Sequence, residues 1–209
     1  MYELMAERTS SGAIDVSSLD EAEQNALKLR ILAAFLLPLA DHYVVLKKRQ
    51  QLLPFVIIRD SLKLRTRDAE DVGNTILKNV TEFRELLTAS LNEFDRVRVG
   101  LSLRSMGELW ELTSDIALVQ DIVDGAEMSR EVAISRHTSF KEAVTSHGLM
   151  GVWNMKPLLN GNDLIKTLGV KPGPAVKETM DQVIVWQLQN PSASREECLS
   201  HFVALKTTA

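Results

Sequence analysis

Leu164-Ile165-Lys166-Thr167-Leu168-Gly169-Val170-Lys171-Pro172-Gly173-Pro174-Ala175-Val176 runs an apolar pair into a glycine, an apolar residue, a second glycine and a small residue. That order predicts two helices joined by a tight turn, a helix-hairpin-helix-like arrangement. Glycines there let backbone amides approach a phosphate closely, and the second helix aims its positive end at it. Lys171 and Lys177 add charge. A plain αα-hairpin that uses Gly and Pro as turn formers fits equally well. Both readings are helical. Outward from the turn, Asn162-Asp163 starts the short first helix, and Pro174 opens a long one ending near Gln189. Pro191 breaks the chain, and Ser194-Arg195-Glu196-Glu197 is a capping box for a last helix through Phe202. Trp153, Leu159, Leu164, Leu168, Ile184 and Trp186 are expected to form the core of this segment.

Helical signals continue upstream. Ser18-Leu19-Asp20-Glu21 reads as a capping box, with a helix toward Leu37 whose apolar positions Leu27, Ile31, Ala34 and Phe35 fall at helical spacing. Pro38 ends or kinks it, and Pro54 suits the first turn of a second helix through Phe55, Ile58 and Leu62. Thr66 caps a third helix, with Val72, Ile76, Val80, Phe83 and Leu87 on one face. Another is expected from near Ser102 through Leu109, Leu112, Ile116 and Val119 to Gly125, and a further one ends at Gly148 as a left-handed cap. Gly151 to Pro157 reads as a linker. No alternating strand, repeat or low-complexity tract stands out. The fold class is all-α: a helical body over 19–150, then a small helical tail over 151–209.

Composition agrees. The 209 residues are 45% hydrophobic but only 5% aromatic, a balance that fills a core and favours helices over sheets. The lone cysteine, Cys198, excludes an internal disulfide or a Cys-based zinc site and fits a reducing, intracellular setting. Mitochondrial, cytoplasmic and nuclear locations are not distinguished. The apolar run Ile31 to Ala40 is too short for a bilayer, and Met1 to Ser11 has no secretory apolar region, so no membrane partner is expected. The formal charge of −4 is unevenly spread. Met1 to Ala26 carries a net of −5, and Lys47 to Arg67 a net of +6. On charge alone a solvated surface stretch accounts for that basic block better than a nucleic-acid contact does.

Catalytic patterns are missing. His42, His137, His147 and His201 contain no i, i+4 pair, and each reads as an ordinary surface or core histidine, so no metal ligand is assigned. Neither GxSxG nor a phosphate-cradling glycine loop occurs. Asp68-Ala69-Glu70-Asp71 offers carboxylates, but on a helix i and i+2 point apart, and the run complements the helix dipole instead. No catalytic residue is assigned.

One tract has a specific likeness. Val152-Trp153-Asn154-Met155-Lys156-Pro157-Leu158-Leu159-Asn160-Gly161-Asn162-Asp163-Leu164, then Leu168 to Pro174, Trp186-Gln187-Leu188-Gln189-Asn190-Pro191 and Glu196-Glu197-Cys198-Leu199 are similar to the C-terminal tail of class II CCA-adding tRNA nucleotidyltransferases, fungal forms above all. Ile58-Arg59-Asp60-Ser61-Leu62-Lys63-Leu64 and Val99 to Trp110 resemble that family's body segments. The resemblance spans roughly Leu27 to Phe202. It implies a tRNA partner and helical domains that hold tRNA. It also implies an N-terminal catalytic head, which this chain lacks, where strand carboxylates would add CTP and ATP. Residues 1–18 are then the remnant of a neck junction. Asp95-Arg96-Val97-Arg98 mimics part of the family's base-reading motif but sits within the body match, so that role is not transferred.

The resemblance thus predicts a tRNA-binding, all-helical fragment of a transferase in tRNA 3′-end maturation, inactive alone. It needs no cofactor itself, Mg²⁺ being expected only with the head. The chain is then one half of a split enzyme whose head is separately encoded, a truncated product whose head is deleted, or a partial gene model. Candidate RNA-binding residues are Lys47, Lys48, Arg49, Arg59, Lys63, Arg65 and Arg67, with Lys171, Gly173 and Lys177 as a second anchor. Arg59 and Lys63, four apart, would share a helix face; alternatively Arg59 pairs with a body carboxylate. The competing reading is a non-catalytic helical scaffold or protein-interaction domain derived from the same family.

Overall fold

Helix α1 (Glu21–Leu36) starts at Asp20, whose carboxylate accepts the Glu23 amide at 2.8 Å while the Glu23 carboxylate accepts the Asp20 amide at 3.0 Å. The capping box is therefore shifted by two residues from Ser18 and Glu21. Ser18 is drawn instead into a 3-10 turn capped by Asp15, where its hydroxyl donates to the Asp15 carbonyl at 2.7 Å. The structure is a computed structural model that describes residues 15–90, 93–125 and 129–207. Most of the stretch read as a neck remnant lies outside them.

The described chain is predominantly helical, as expected, with one exception. Strands β1 (Tyr43–Leu46) and β2 (Arg49–Leu52) form an antiparallel hairpin, with Leu46 opposite Arg49 and Tyr43 opposite Leu52. The Tyr-Val-Val-Leu run suits a strand. Its turn, Lys47-Lys48, lacks the Asn-Gly chemistry that marks hairpins in a sequence. After the hairpin, α2 (Leu53–Val56) begins with Pro54 in its first turn and continues as a π-helical turn, Ile57–Ser61. Next come α3 (Thr66–Ala69), a π-helical stretch (Glu70–Leu77) and α4 (Lys78–Ser90). Then follow α5 (Arg96–Met106), a 3-10 turn, α6 (Trp110–Asp124), α7 (Arg130–Ser146), α8 (Pro174–Gln189) and α9 (Arg195–Thr207). Among the described residues no helix is long and apolar enough to cross a membrane.

The chain forms two compact units: Met1–Glu93 with Met106–Ala143, and Phe94–Ser105 with Val144–Ala209. The sequence suggests a single boundary near Gly151, whereas the packing divides the chain earlier and twice more.

In the first unit the expected face Val72, Ile76, Val80, Phe83 and Leu87 is fully buried. α1 behaves differently. It buries Leu27, Leu29, Ala33 and Leu36, while Ile31 and Phe35 are 53% and 76% exposed. Residues 31–36 are apolar all round, so periodicity alone cannot choose a core face. Two charged networks tie the unit's interior. Asp68 is buried and accepts from Lys28 Nζ at 2.8 Å and Arg65 Nη2 at 3.0 Å. Burial pushes its carboxyl up, but those two hydrogen bonds prevail and hold it below the usual carboxylate range. Asp121 is balanced likewise: burial raises it, and the bonds from His137 and Arg84 bring it down.

In the second unit, Asp95 caps α5 by accepting the Val97 and Arg98 amides at 2.9 and 3.0 Å. Arg96 donates to the Leu188 carbonyl at 2.7 Å and to the His147 carbonyl. Gly100 lets α5 approach Leu188 closely, since a Cβ there would meet Leu188 Cδ2 at 2.6 Å and make that side chain shift. A small core joins Leu159, Leu164, Leu168, Val183, Cys198 and Phe202, with Trp186 half-buried against it. Burial raises the Cys198 thiol. Trp153 and Ile184, expected in this core, are not in it. The Ser194 and Glu197 capping box forms as read, with bonds of 3.2 and 2.7 Å. Gly148 closes α7 in a left-handed conformation, φ +62°.

Candidate nucleic-acid interface

The basic block between Lys47 and Arg67 separates into two groups. Lys47 and Lys48 form the hairpin turn, with φ of 49° and 65°. Two positive φ values in a two-residue loop are those of a type I′ turn, which matches the right-handed twist of the strands. Arg49 follows at the start of β2 and is exposed. Lys63 stands just past the π-helical turn with φ 56°. It occupies the left-handed cap position that glycine usually takes, and the next amide, Leu64, donates back to the Ile58 carbonyl at 3.1 Å. Lys63 is therefore off the helix, and it does not share a helical face with Arg59 as their spacing suggests. Arg59 instead chelates its neighbour Asp60 through Nε and Nη2, both at 2.7 Å. Its guanidinium also lies 4.7 Å from the Phe55 ring centre.

Asp60 reveals the geometry. Its carboxyl is held below the usual range, first by the Arg59 hydrogen bond and then by the charges of Arg59, Lys63 and Lys47. The hairpin turn and the segment 59–63 thus bring three cations around one carboxylate. Lys47, Lys48, Arg49 and Lys63 make no ion pair among the described residues. The only non-glycine residues with positive φ there are Lys47, Lys48 and Lys63. A left-handed backbone costs a residue with a Cβ roughly 1–2 kcal/mol. Lysine at three such positions makes the hairpin tip and the end of the π-helical turn a concentrated exposed cation cluster.

Arg65 and Arg67 belong elsewhere. Arg65 bonds Asp68 and, at 2.9 Å, the Asn25 side chain. Arg67 bonds Asp71 at 2.9 and 3.0 Å, four residues on. They border a groove with Lys28, facing Glu21, Asp68 and Asp71. Three cations against three anions leave that groove without a net attraction for phosphate.

In the second unit the Gly169–Pro174 turn has Gly169 at φ 57° and Gly173 at φ 121°. The Val170 amide donates to Leu164 at 2.9 Å, closing the short π-helical segment Asp163–Thr167. Pro174 sits in the first turn of α8, where its missing amide costs nothing. Lys171, Gly173 and Lys177 are all exposed. A Cβ at Gly173 would meet nothing within 4 Å, so its backbone conformation, not crowding, demands glycine there.

One constellation escaped the sequence reading. Ser114 Oγ lies 3.2 Å from His137 Nδ1, and His137 Nε2 lies 3.1 Å from Asp121 Oδ2. The order of groups is that of a serine hydrolase, but Ser114 and His137 are only 1% and 4% exposed. No substrate reaches a hydroxyl so enclosed, and the chain ties α6 to α7. Ser114 and Asp121 are seven residues apart, on one face of α6, and that spacing was the available signal. Among the described residues no group of His, Cys, Asp and Glu could hold a metal ion.

Comparison with known proteins adds the lineage. The chain is 31% identical over 171 residues to a tRNA nucleotidyltransferase of Schizosaccharomyces pombe, covering 82% of this chain and 35% of that protein. A mitochondrial CCA tRNA nucleotidyltransferase of Saccharomyces cerevisiae is 25% identical over 186 residues, covering 84% of this chain and 34% of that one. The corresponding mitochondrial enzyme of Candida glabrata is 26% identical over 179 residues, covering 81% and 34%. The chain thus spans about a third of the length of the curated relatives it matches. No family model and no solved structure matches it. Along more than four-fifths of its length the chain is therefore homologous to part of the CCA tRNA nucleotidyltransferases.

Proposed function

We propose that residues 1–209 are the tRNA-holding part of a CCA-adding enzyme and do not catalyse nucleotide addition by themselves. The observation that carries the reading is the cation cluster of Lys47, Lys48, Arg49 and Lys63, free of ion pairs among the described residues and held partly by left-handed backbone. Exposed lysines suit phosphates, which are met as point charges along an RNA backbone. The Gly169–Pro174 turn, with Lys171 and Lys177, supplies a second anchor. On this reading the catalytic carboxylates, and the Mg²⁺ they would hold, are supplied by a catalytic head and not by these residues.

Two measurements test this. Binding of the full chain to a tRNA lacking its 3′ end, followed across salt concentration, is expected to weaken steeply, because each neutralised phosphate releases counterions. Incubation of the chain with labelled CTP or ATP, Mg²⁺ and the same tRNA is expected to give no incorporation. Absence of salt-dependent binding would leave the scaffold reading in its place. Incorporation above a protein-free control would overturn the non-catalytic assignment.

A further inference from the structure

β1 carries a feature that phosphate contacts do not use. Tyr43 and Val45, two residues apart on one face of the strand, are 55% and 70% exposed, whereas Val44 and Leu46 between and after them are half-buried. The alternation is that of a strand packed on one side only. Its outward side is apolar where a solvent face is normally polar. Gln50, opposite Val45, is exposed as well. The Tyr43 hydroxyl has no hydrogen-bond partner among the described residues, so the ring is not held by its polar end. Along the strand, Tyr43 stands roughly 13 Å from Lys47.

We propose that Tyr43 is a stacking platform for an unpaired RNA base, working beside the Lys47–Lys48–Arg49 tip; this rests on the RNA-binding reading above. An aromatic face next to a row of cations is the pairing that single-stranded nucleic acid requires: the cations follow phosphates, and the ring takes one base without selecting its identity. A fully paired stem offers no free base face, so the tyrosine contributes only where the strand is unstacked. Val45 widens the apolar surface on which the ribose and base edge rest. The ligand is thus a stem with a short unpaired extension, gripped by charge along its backbone and by stacking at one nucleotide.

The test uses the full chain and two RNA hairpins, one blunt and one with a short unpaired 3′ extension containing 2-aminopurine. For the parent, the extended RNA is expected to bind more tightly, with an aminopurine signal changed by stacking. Tyr43→Ala and Tyr43→Leu should each lose about tenfold in affinity for the extended RNA and abolish the aminopurine change. Tyr43→Phe should retain both. All three should keep the parent's affinity for the blunt hairpin and its salt slope, and unchanged circular dichroism establishes that the leucine and phenylalanine variants remain folded. If Tyr43→Leu binds the extended RNA as the parent does, with the same aminopurine signal, the stacking role is wrong while the basic cluster stands. If the parent binds neither RNA in a salt-dependent way, both readings fall.

Discussion

Arg65 and Arg67 stand two and four residues beyond Lys63, yet they end in a different electrostatic world. Each arginine has a carboxylate three or four residues on, Asp68 and Asp71, and folding into a helix closes both pairs. Lys47, Lys48 and Lys63 lie where the backbone turns back on itself, so no carboxylate follows at helical spacing, and only Asp60 is shared among several cations. A count of charges along a sequence therefore overstates the field wherever helix geometry brings acids alongside, and is faithful where the chain reverses. The contrast also separates two roles. Arg65 helps to neutralise a buried anion, whereas Lys47 and Lys63 only share the partly exposed Asp60 with Arg59.

The largest expected effect breaks this contrast from the lysine side. Replacing Lys47, Lys48 and Lys63 together by alanine should lower the salt slope of tRNA binding by about three units, one for each phosphate contact. Replacing Arg65 and Arg67 together should lower it by less than one. Equal losses from the two variants would show that the arginines reach RNA despite their pairs. Salt-dependent fluorescence anisotropy reads both.

The next effect comes from the acid. Asp68→Asn should destabilise the protein by about 2 kcal/mol near neutral pH, since it removes a buried anion from between two cations that are themselves partly exposed and able to find water. Its pH dependence has a definite sign. The folded carboxyl is held below its unfolded value of about 3.9, so its contribution is present above that pH. It is lost as pH falls through the lower, folded value. Acid unfolding followed by circular dichroism should thus begin less steeply in Asp68→Asn than in the parent. The same variant frees Arg65, and the salt slope of tRNA binding should rise, by one unit at most.

A smaller effect sharpens the backbone argument. Lys63→Gly relieves a left-handed Cβ and should stabilise the fold by about 1 kcal/mol while weakening tRNA binding. Lys47→Asn with Lys48→Gly should act in the same direction at the hairpin. Urea titration and tRNA affinity, measured on the same samples, check the opposition; a gain in both would mean that the lysines are there by accident. The smallest effect is expected of Arg67→Ala, whose exposed pair with Asp71 is screened by solvent. Neither its melting temperature nor its salt slope should move measurably.

By itself the sequence determined the helical class, several helix ends and the lineage. Val72, Ile76, Val80, Phe83 and Leu87 repeat with the helical period inside an otherwise polar segment, so only one face of that helix could be buried. Gly148, Gly169 and Gly173 mark left-handed positions that other residues adopt at a cost, and Ser194 with Glu197 closes a box whose geometry is local. Tertiary structure decided everything that depends on which surface meets which. It turned Ile31 and Phe35 outward in a helical stretch, 31–36, that has no polar side to orient it, and put Cys198 rather than Trp153 in the small core. It joined Ser114, His137 and Asp121 across two helices. It also folded Tyr43 to Leu52 into a hairpin whose Lys-Lys turn has no sequence signature, because the strands' packing and pairing, not turn propensity, stabilise those two left-handed lysines. The cation cluster follows from that hairpin and from the left-handed end at Lys63, for charges gather in space only where backbone reversals bring distant segments together.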